Sequence, residues 1–169
     1  MDFKRDILPL KNIIFRTALR ITLNREEAED IVQDCLVKIW KQTQMGAEIQ
    51  NLESYALTMS RNLALDRKKL SANRVISLVE EQHDTQDEHQ VLPDEQLMRD
   101  ETTSIIEQIV NRLPEKQRTV MQLRDIEGKS YKEIAEVLSI TESDVKVTLY
   151  RARQQVREEY LKVGIFQSK

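Results

Sequence analysis

Glu26, Glu27, Glu29 and Asp30 place four carboxylates within five consecutive positions. Converging carboxylates of this kind can hold a divalent cation for nuclease chemistry. These do not converge. On a helix each residue turns the chain by about 100°, which spreads the four around the axis. Histidine would strengthen a metal reading, but the only two, His83 and His89, lie in a polar, acidic stretch. Cys35 is the single cysteine, so no intrachain disulfide can form, in keeping with a reducing compartment. No catalytic, metal or cofactor set emerges, and the chain is not expected to be an enzyme.

A second set of residues suits recognition of duplex DNA. Ser143, Lys146, Val147, Thr148, Tyr150, Arg151 and Arg153 fall within eleven positions near the end of the chain. On one helix, the first of them would meet base edges and the Arg-rich half would meet phosphates. All seven are expected to face outward. The inward face would be Val145, Leu149, Ala152 and Val156, at helical spacing.

The elements that must position these residues are legible too. Ser130 with Glu133 matches a capping box, so a helix should begin at Tyr131 and bury Ile134, Ala135 and Leu138. Ser139 and Ile140 form the turn. Thr141 with Asp144 offers a second cap. Two helices, a tight turn and two caps make the helix-turn-helix pattern. The turn often carries Gly; a left-handed Ser139 would cost on the order of 1 kcal/mol.

Upstream, Ala28, Ile31, Val32, Cys35, Leu36, Ile39 and Trp40 form one broad apolar stripe, and Asn24 with Glu27 can cap its start. Trp40 lies on the stripe and should anchor the core. A helix from about Ile7 to Ile21 precedes it. Another, from about Leu52 to Leu70, carries Leu52, Ala56, Met59 and Leu63 at four-residue steps, with Ser60, Arg61, Asn62, Asp66, Arg67 and Lys69 on its polar face. Later, Ile105, Ile106, Ile109, Val110 and Leu113 give a further stripe. Pro114 then suits the first position of a helix running to about Arg124, which Gly128 ends.

Only three Gly and three Pro occur in 169 residues, and 33% are charged. The composition reads as all-α. The net charge of −3 is unusual for a nucleic-acid binder, but its distribution matters more. Residues 1–70 carry +2, residues 71–100 carry −6 and residues 101–169 carry +1. The expected organisation is two small helical domains, 1–70 and 94–169, joined by an acidic flexible linker, 71–93. No apolar run is long enough to span a membrane, and the amino terminus lacks a signal-peptide core. Membrane insertion is not expected, and a cytoplasmic location is.

Leu113-Pro114-Glu115-Lys116-Gln117-Arg118, Gly128-Lys129-Ser130-Tyr131-Lys132-Glu133-Ile134-Ala135 and Tyr150-Arg151-Ala152-Arg153 together resemble the sigma-four domain of bacterial sigma factors. Glu27-Ala28-Glu29-Asp30-Ile31-Val32-Gln33-Asp34, ending at Ile39-Trp40, resembles their sigma-two domain, as does Ser60-Arg61-Asn62-Leu63-Ala64-Leu65-Asp66. Order and spacing resemble the extracytoplasmic-function (ECF) group of the sigma-70 family.

The resemblance implies a subunit that directs core RNA polymerase to promoters. Glu29, Asp30, Gln33 and Asp34 would dock on the beta-prime coiled coil, and the second domain would meet the beta flap. Arg61, Asn62, Asp66 and Arg67, with a loop at about Lys41 to Ile49, would take a base from the −10 element. Ser143 to Arg153 would read the −35 element. Relatives often carry Ser-Arg where Val147-Thr148 stand, so the resemblance does not fix the exact −35 sequence; the fold is not affected, since both positions are expected to face outward. The resemblance also implies an anti-sigma factor as a partner.

The linker would have to stretch. Elements two helical turns apart are separated by roughly 70 Å. About 23 extended residues reach on the order of 75–80 Å, whereas a relaxed coil spans about 25–30 Å. Residues 80–90 are expected either to thread the polymerase's RNA exit path or to act as a mere tether. The alternative reading is a stand-alone helix-turn-helix regulator whose first domain senses a ligand or dimerises; core-polymerase binding separates the two.

Overall fold

The computed structural model describes residues 2–79 and 101–167, with side chains over residues 2–73 and 104–164. The chain divides into two compact units, Met1–Gln90 and Val91–Lys169. Every regular element among the described residues is helical.

In the first unit, a wide turn, Phe3–Ile7, and a 3-10 turn, Leu8–Leu10, precede helix α1, Lys11–Thr22. The expected helix from Ile7 therefore starts later. Pro9 occupies the short 3-10 turn, since it has no N–H to give to a helix interior. Helix α2 covers Arg25–Gln44. The turn between them is short because Leu23 takes a left-handed conformation, φ 56°. Asn24 then caps α2, its side chain accepting a hydrogen bond from Glu27 N at 3.0 Å, as its spacing suggests.

Helix α3 spans Leu52–Val79. It continues well past Leu70, through residues expected in the linker, and Ser71 donates a hydrogen bond to Glu27 on α2 at 3.2 Å. The rest of the expected linker, 80–93, lies outside the described residues. So does the expected threading segment, 80–90.

Ile7, Leu10, Ile14, Ala18 and Ile21 pack with Ala28, Ile31, Val32, Cys35, Leu36 and Ile39 and with Ala56 and Ala64 in one core. The buried face of α3 differs from the expected stripe. Leu52, Met59 and Leu63 are only partly buried, while Ala56, Leu57, Ser60 and Ala64 are fully covered. Small residues at four-residue steps let α3 approach α1 closely. Ser60, expected on the polar face, donates instead to the Ile14 carbonyl at 3.3 Å. Trp40 packs against this core and meets Phe3 edge-on, with centroids 5.6 Å apart.

In the second unit, α4 covers Glu101–Asn111 and α5 covers Glu115–Met121, continuing as a wider turn over Gln122–Ile126. Pro114 stands at the N-cap of α5, one place before the expected first helical position. Arg118 is buried and donates to the carbonyls of Asn111 (2.9 Å) and Leu113 (3.2 Å), satisfying backbone oxygens at the end of α4. Gly128, at φ 70°, ends this segment. Helix α6, Tyr131–Leu138, and helix α7, Glu142–Gln167, follow.

Candidate nucleic-acid interface

Ser130 accepts from Glu133 N at 3.1 Å and also donates to the Glu133 carboxylate at 3.1 Å, which fixes the start of α6. Ile134, Ala135, Val137 and Leu138 are buried along it. Ser139 ends the helix in the left-handed region, φ 56° and ψ 48°. Thr141 then accepts from Asp144 N at 3.0 Å and caps α7. Val145, Leu149 and Ala152 face inward and are buried; Val156, the fourth of that stripe, is half-buried. A short turn and a cap at each helix start thus set the register of α7.

That register exposes Ser143, Lys146, Val147, Tyr150, Arg151 and Arg153. Thr148 does not join them. It is 6% exposed, and its hydroxyl donates to Asp144 Oδ1 at 3.1 Å. The expectation that Thr148 faces outward is corrected. It lies three residues after Val145 and one before Leu149, on the edge of the buried stripe, where its hydroxyl must find a partner.

Asp144 is a junction. Its other oxygen accepts from Lys116 Nζ at 2.8 Å, joining α5 to α7. The Lys116 hydrogen bond, helped by that from Thr148, holds the Asp144 carboxyl below its ordinary range despite some desolvation. Arg153 is likewise tied: its guanidinium makes two hydrogen bonds to Asp125, and this raises its pKa. Tyr131 carries two cations. The Arg124 guanidinium lies 4.4 Å from its ring centroid, and Lys146 Nζ lies 5.5 Å from it. Lys146 is therefore held beside α6, and Arg124 also donates to the Lys129 carbonyl at 2.9 Å.

On the first unit, Glu29, Asp30 and Gln33 are exposed on α2 and Asp34 is half-buried. Glu29 accepts from Arg25 at 3.1 Å. On α3, Asn62 and Asp66 are exposed and Arg61 is half-buried. Arg67 reaches across to α2, donating to Asp30 Oδ2 at 2.9 Å and Asp34 Oδ2 at 3.0 Å. Residues expected to serve two different partners are thus bonded to one another. The expected loop of Lys41 to Ile49 is shorter, since α2 continues to Gln44. Among the described residues, no group of three or more His, Cys, Asp or Glu side chains could hold a metal ion. No described helix is long and apolar enough to cross a membrane.

Two family models match the chain in sequence order. Sigma-70 region 2 matches residues 7–73, and sigma-70 region 4 matches residues 103–156. The chain belongs to the sigma-70 family.

Within it, the sigma factor resembles the ECF group. It is 28% identical over 166 residues to the ECF RNA polymerase sigma factor SigW of Bacillus subtilis, covering 94% of this chain and 89% of SigW. It is 27% identical over 146 residues to the ECF RNA polymerase sigma factor SigE of Mycolicibacterium smegmatis, covering 86% of this chain but only 56% of SigE. Its fold matches the sigma factor RpoE, solved with the anti-sigma factor NepR from Bartonella quintana. The TM-score there is 0.70 at 25% identity, over 96% of this chain and 98% of that one. The fold also matches CnrH, solved with the cytosolic domain of CnrY, with a TM-score of 0.62 at 17% identity, over 92% and 85% of the two chains. As a sigma factor of this group, the protein directs RNA polymerase to promoters.

Sequence reasoning missed Lys116, Arg124, Asp125 and Tyr131 as residues that hold α7 in place. Lys116 and Tyr131 lay inside the motifs that carried the resemblance. Their roles depend on contacts between helices, which a helical period along one segment does not contain.

Proposed function

We propose that this sigma factor engages its promoters at two points. The outward face of α7 reads the −35 element: Ser143, Lys146 and Val147 toward base edges, Tyr150, Arg151 and Arg153 toward the backbone. Thr148 serves that face from behind, through Asp144. The −10 element is taken by α3, where Asn62 can hydrogen-bond a displaced base without charge and Arg61 can hold the strand, with Asp66 beside them. Glu29, Asp30, Gln33 and Asp34 give α2 an acidic face suited to a basic coiled coil on the polymerase. The second unit meets the beta flap, and the chain acts in the cytoplasm.

The supporting observation is the one-sided exposure of α7. Its inner side is closed by Val145, Leu149 and Ala152, and its outer side carries Lys146, Tyr150 and Arg151 in the open. An anti-sigma factor is proposed as a further partner, by analogy with RpoE, which was solved bound to one. A pull-down with purified core polymerase tests the docking half. Retention of the chain is expected; a chain that binds promoter DNA but never core polymerase would be a stand-alone regulator.

A further inference from the structure

Asp30 and Asp34 stand one turn apart on α2, where like charges repel. Arg67, from α3, spans both. One guanidinium nitrogen takes Asp30 and the other takes Asp34, at 2.9 and 3.0 Å. The planar fork makes this possible; a lysine ammonium has no such pair of fixed directions. The Arg67 side chain is 25% exposed, while those of Asp30 and Asp34 remain 62% and 47% exposed. The arginine is drawn in and the carboxylates stay open to a partner. An exposed ion pair adds little to stability, so the value of this one lies in geometry.

We infer that Arg67 is a positioning residue for the polymerase-docking face: it holds Asp30 and Asp34 in one orientation and does not contact promoter DNA. To grip a −10 strand, it would have to release both carboxylates and leave two like charges facing each other across one turn. Arg61 and Asn62 keep the DNA role proposed above. The inference rests on the reading of α2 as the docking face. It assigns to that face a residue whose sequence position points to DNA.

The test uses the full chain with purified core polymerase, in variants Arg67→Ala, Arg67→Lys, Asp30→Asn with Asp34→Asn, and the combination of these two with Arg67→Ala. Two affinities are measured: chain for core, and saturated holoenzyme for a short single strand carrying a −10 element mapped by run-off transcription. Arg67→Ala is expected to weaken core binding about two- to fivefold. Arg67→Lys, which keeps charge without the fork, should recover part of that loss. In the Asn background the Arg67→Ala loss should vanish, because the partners are gone. Strand affinity of the saturated holoenzyme should not change. Weaker strand binding with core affinity intact would overturn the inference and return Arg67 to the DNA. Unchanged core affinity in both Arg67 variants would overturn it too. Wild-type core affinity in the Asp30→Asn, Asp34→Asn double variant would instead overturn the docking reading of α2 itself.

Discussion

Lys116 donates a 2.8 Å hydrogen bond to Asp144, fastening α5 to the first turn of α7. The acid sits where α7 begins, so it also faces the positive end of that helix's dipole. The same carboxylate accepts from Thr148, so three side chains brace one turn of α7.

This junction should be visible in the pH dependence of stability. The Asp144 carboxyl titrates lower in the folded protein than in the unfolded chain. Its contribution is therefore complete above the unfolded carboxylate value of about 3.9 and is lost as pH falls below it. Asp144→Asn should lower the thermal midpoint of the second unit near pH 7. The gap to wild type should stay constant down to about pH 4 and narrow as the pH falls further, through the lower folded value. A gap independent of pH would mean that the carboxylate charge is not what matters.

Arg151 and Thr148 should behave differently on DNA. Arg151→Ala should weaken binding at all sequences and reduce the salt slope by about 1, as expected for one lost phosphate contact. Thr148→Val should leave the salt slope unchanged, since the hydroxyl is covered and bonded to Asp144. Titrations of holoenzyme on a −35 fragment at several salt concentrations read both. A lower slope for Thr148→Val would put that residue on the DNA after all.

Ser60 permits the close approach of α3 to α1. Ser60→Leu would drive a branched side chain at the Ile14 carbonyl and should cost about 1–3 kcal/mol in denaturant unfolding. Ser60→Ala should cost less, because it loses one hydrogen bond without adding volume.

Ser139→Gly should act in the other direction. Ser139 is left-handed at φ 56°, and removing its Cβ relieves that conformation by on the order of 0.5–1 kcal/mol. DNA binding should be unaffected, since glycine takes the same left-handed conformation and leaves α6 and α7 where they are. Equal or lower stability in urea would show that the Ser139 conformation carries no strain.

Cys35 is fully buried, and desolvation, with Asp34 next in effect, pushes its thiol up to about 12. A raised folded value means that its contribution is complete below the ordinary thiol value of 9.0 and fades as pH rises toward 12. An aromatic disulfide reagent at pH 8 should therefore fail to label the native protein and label it at once in denaturant. Rapid labelling of the native chain would show that the α1–α2–α3 core opens.

Much of this architecture is readable from residue spacing. Asn24, Ser130 and Thr141 announce their helix starts because a cap is a local arrangement within four residues. The stripe of α2 and the inner face of α7 are periodic, and periodicity survives folding. The errors arose where contacts between helices decide. Ser60 looks polar on paper but is covered because α1 comes close. Thr148 looks like part of an outer face, yet the packing of α7 covers it, and its hydroxyl turns to Asp144 one turn earlier on the same helix. Arg67 sits in a basic cluster, yet its charge is committed to carboxylates more than thirty positions earlier. Leu23, a left-handed non-glycine residue, offers no compositional sign at all. The resemblance to sigma factors needed none of these details, since it rests on two motif sets in the right order.

This sigma factor gives core RNA polymerase its choice of promoter. Run-off transcription with purified core polymerase on genomic fragments, followed by start-site mapping, tests it most directly. Discrete transcripts are expected that require the chain, start downstream of two shared sequence elements, and weaken when Lys146 and Arg151 are replaced by Ala. Transcript patterns identical to those of core polymerase alone would contradict it.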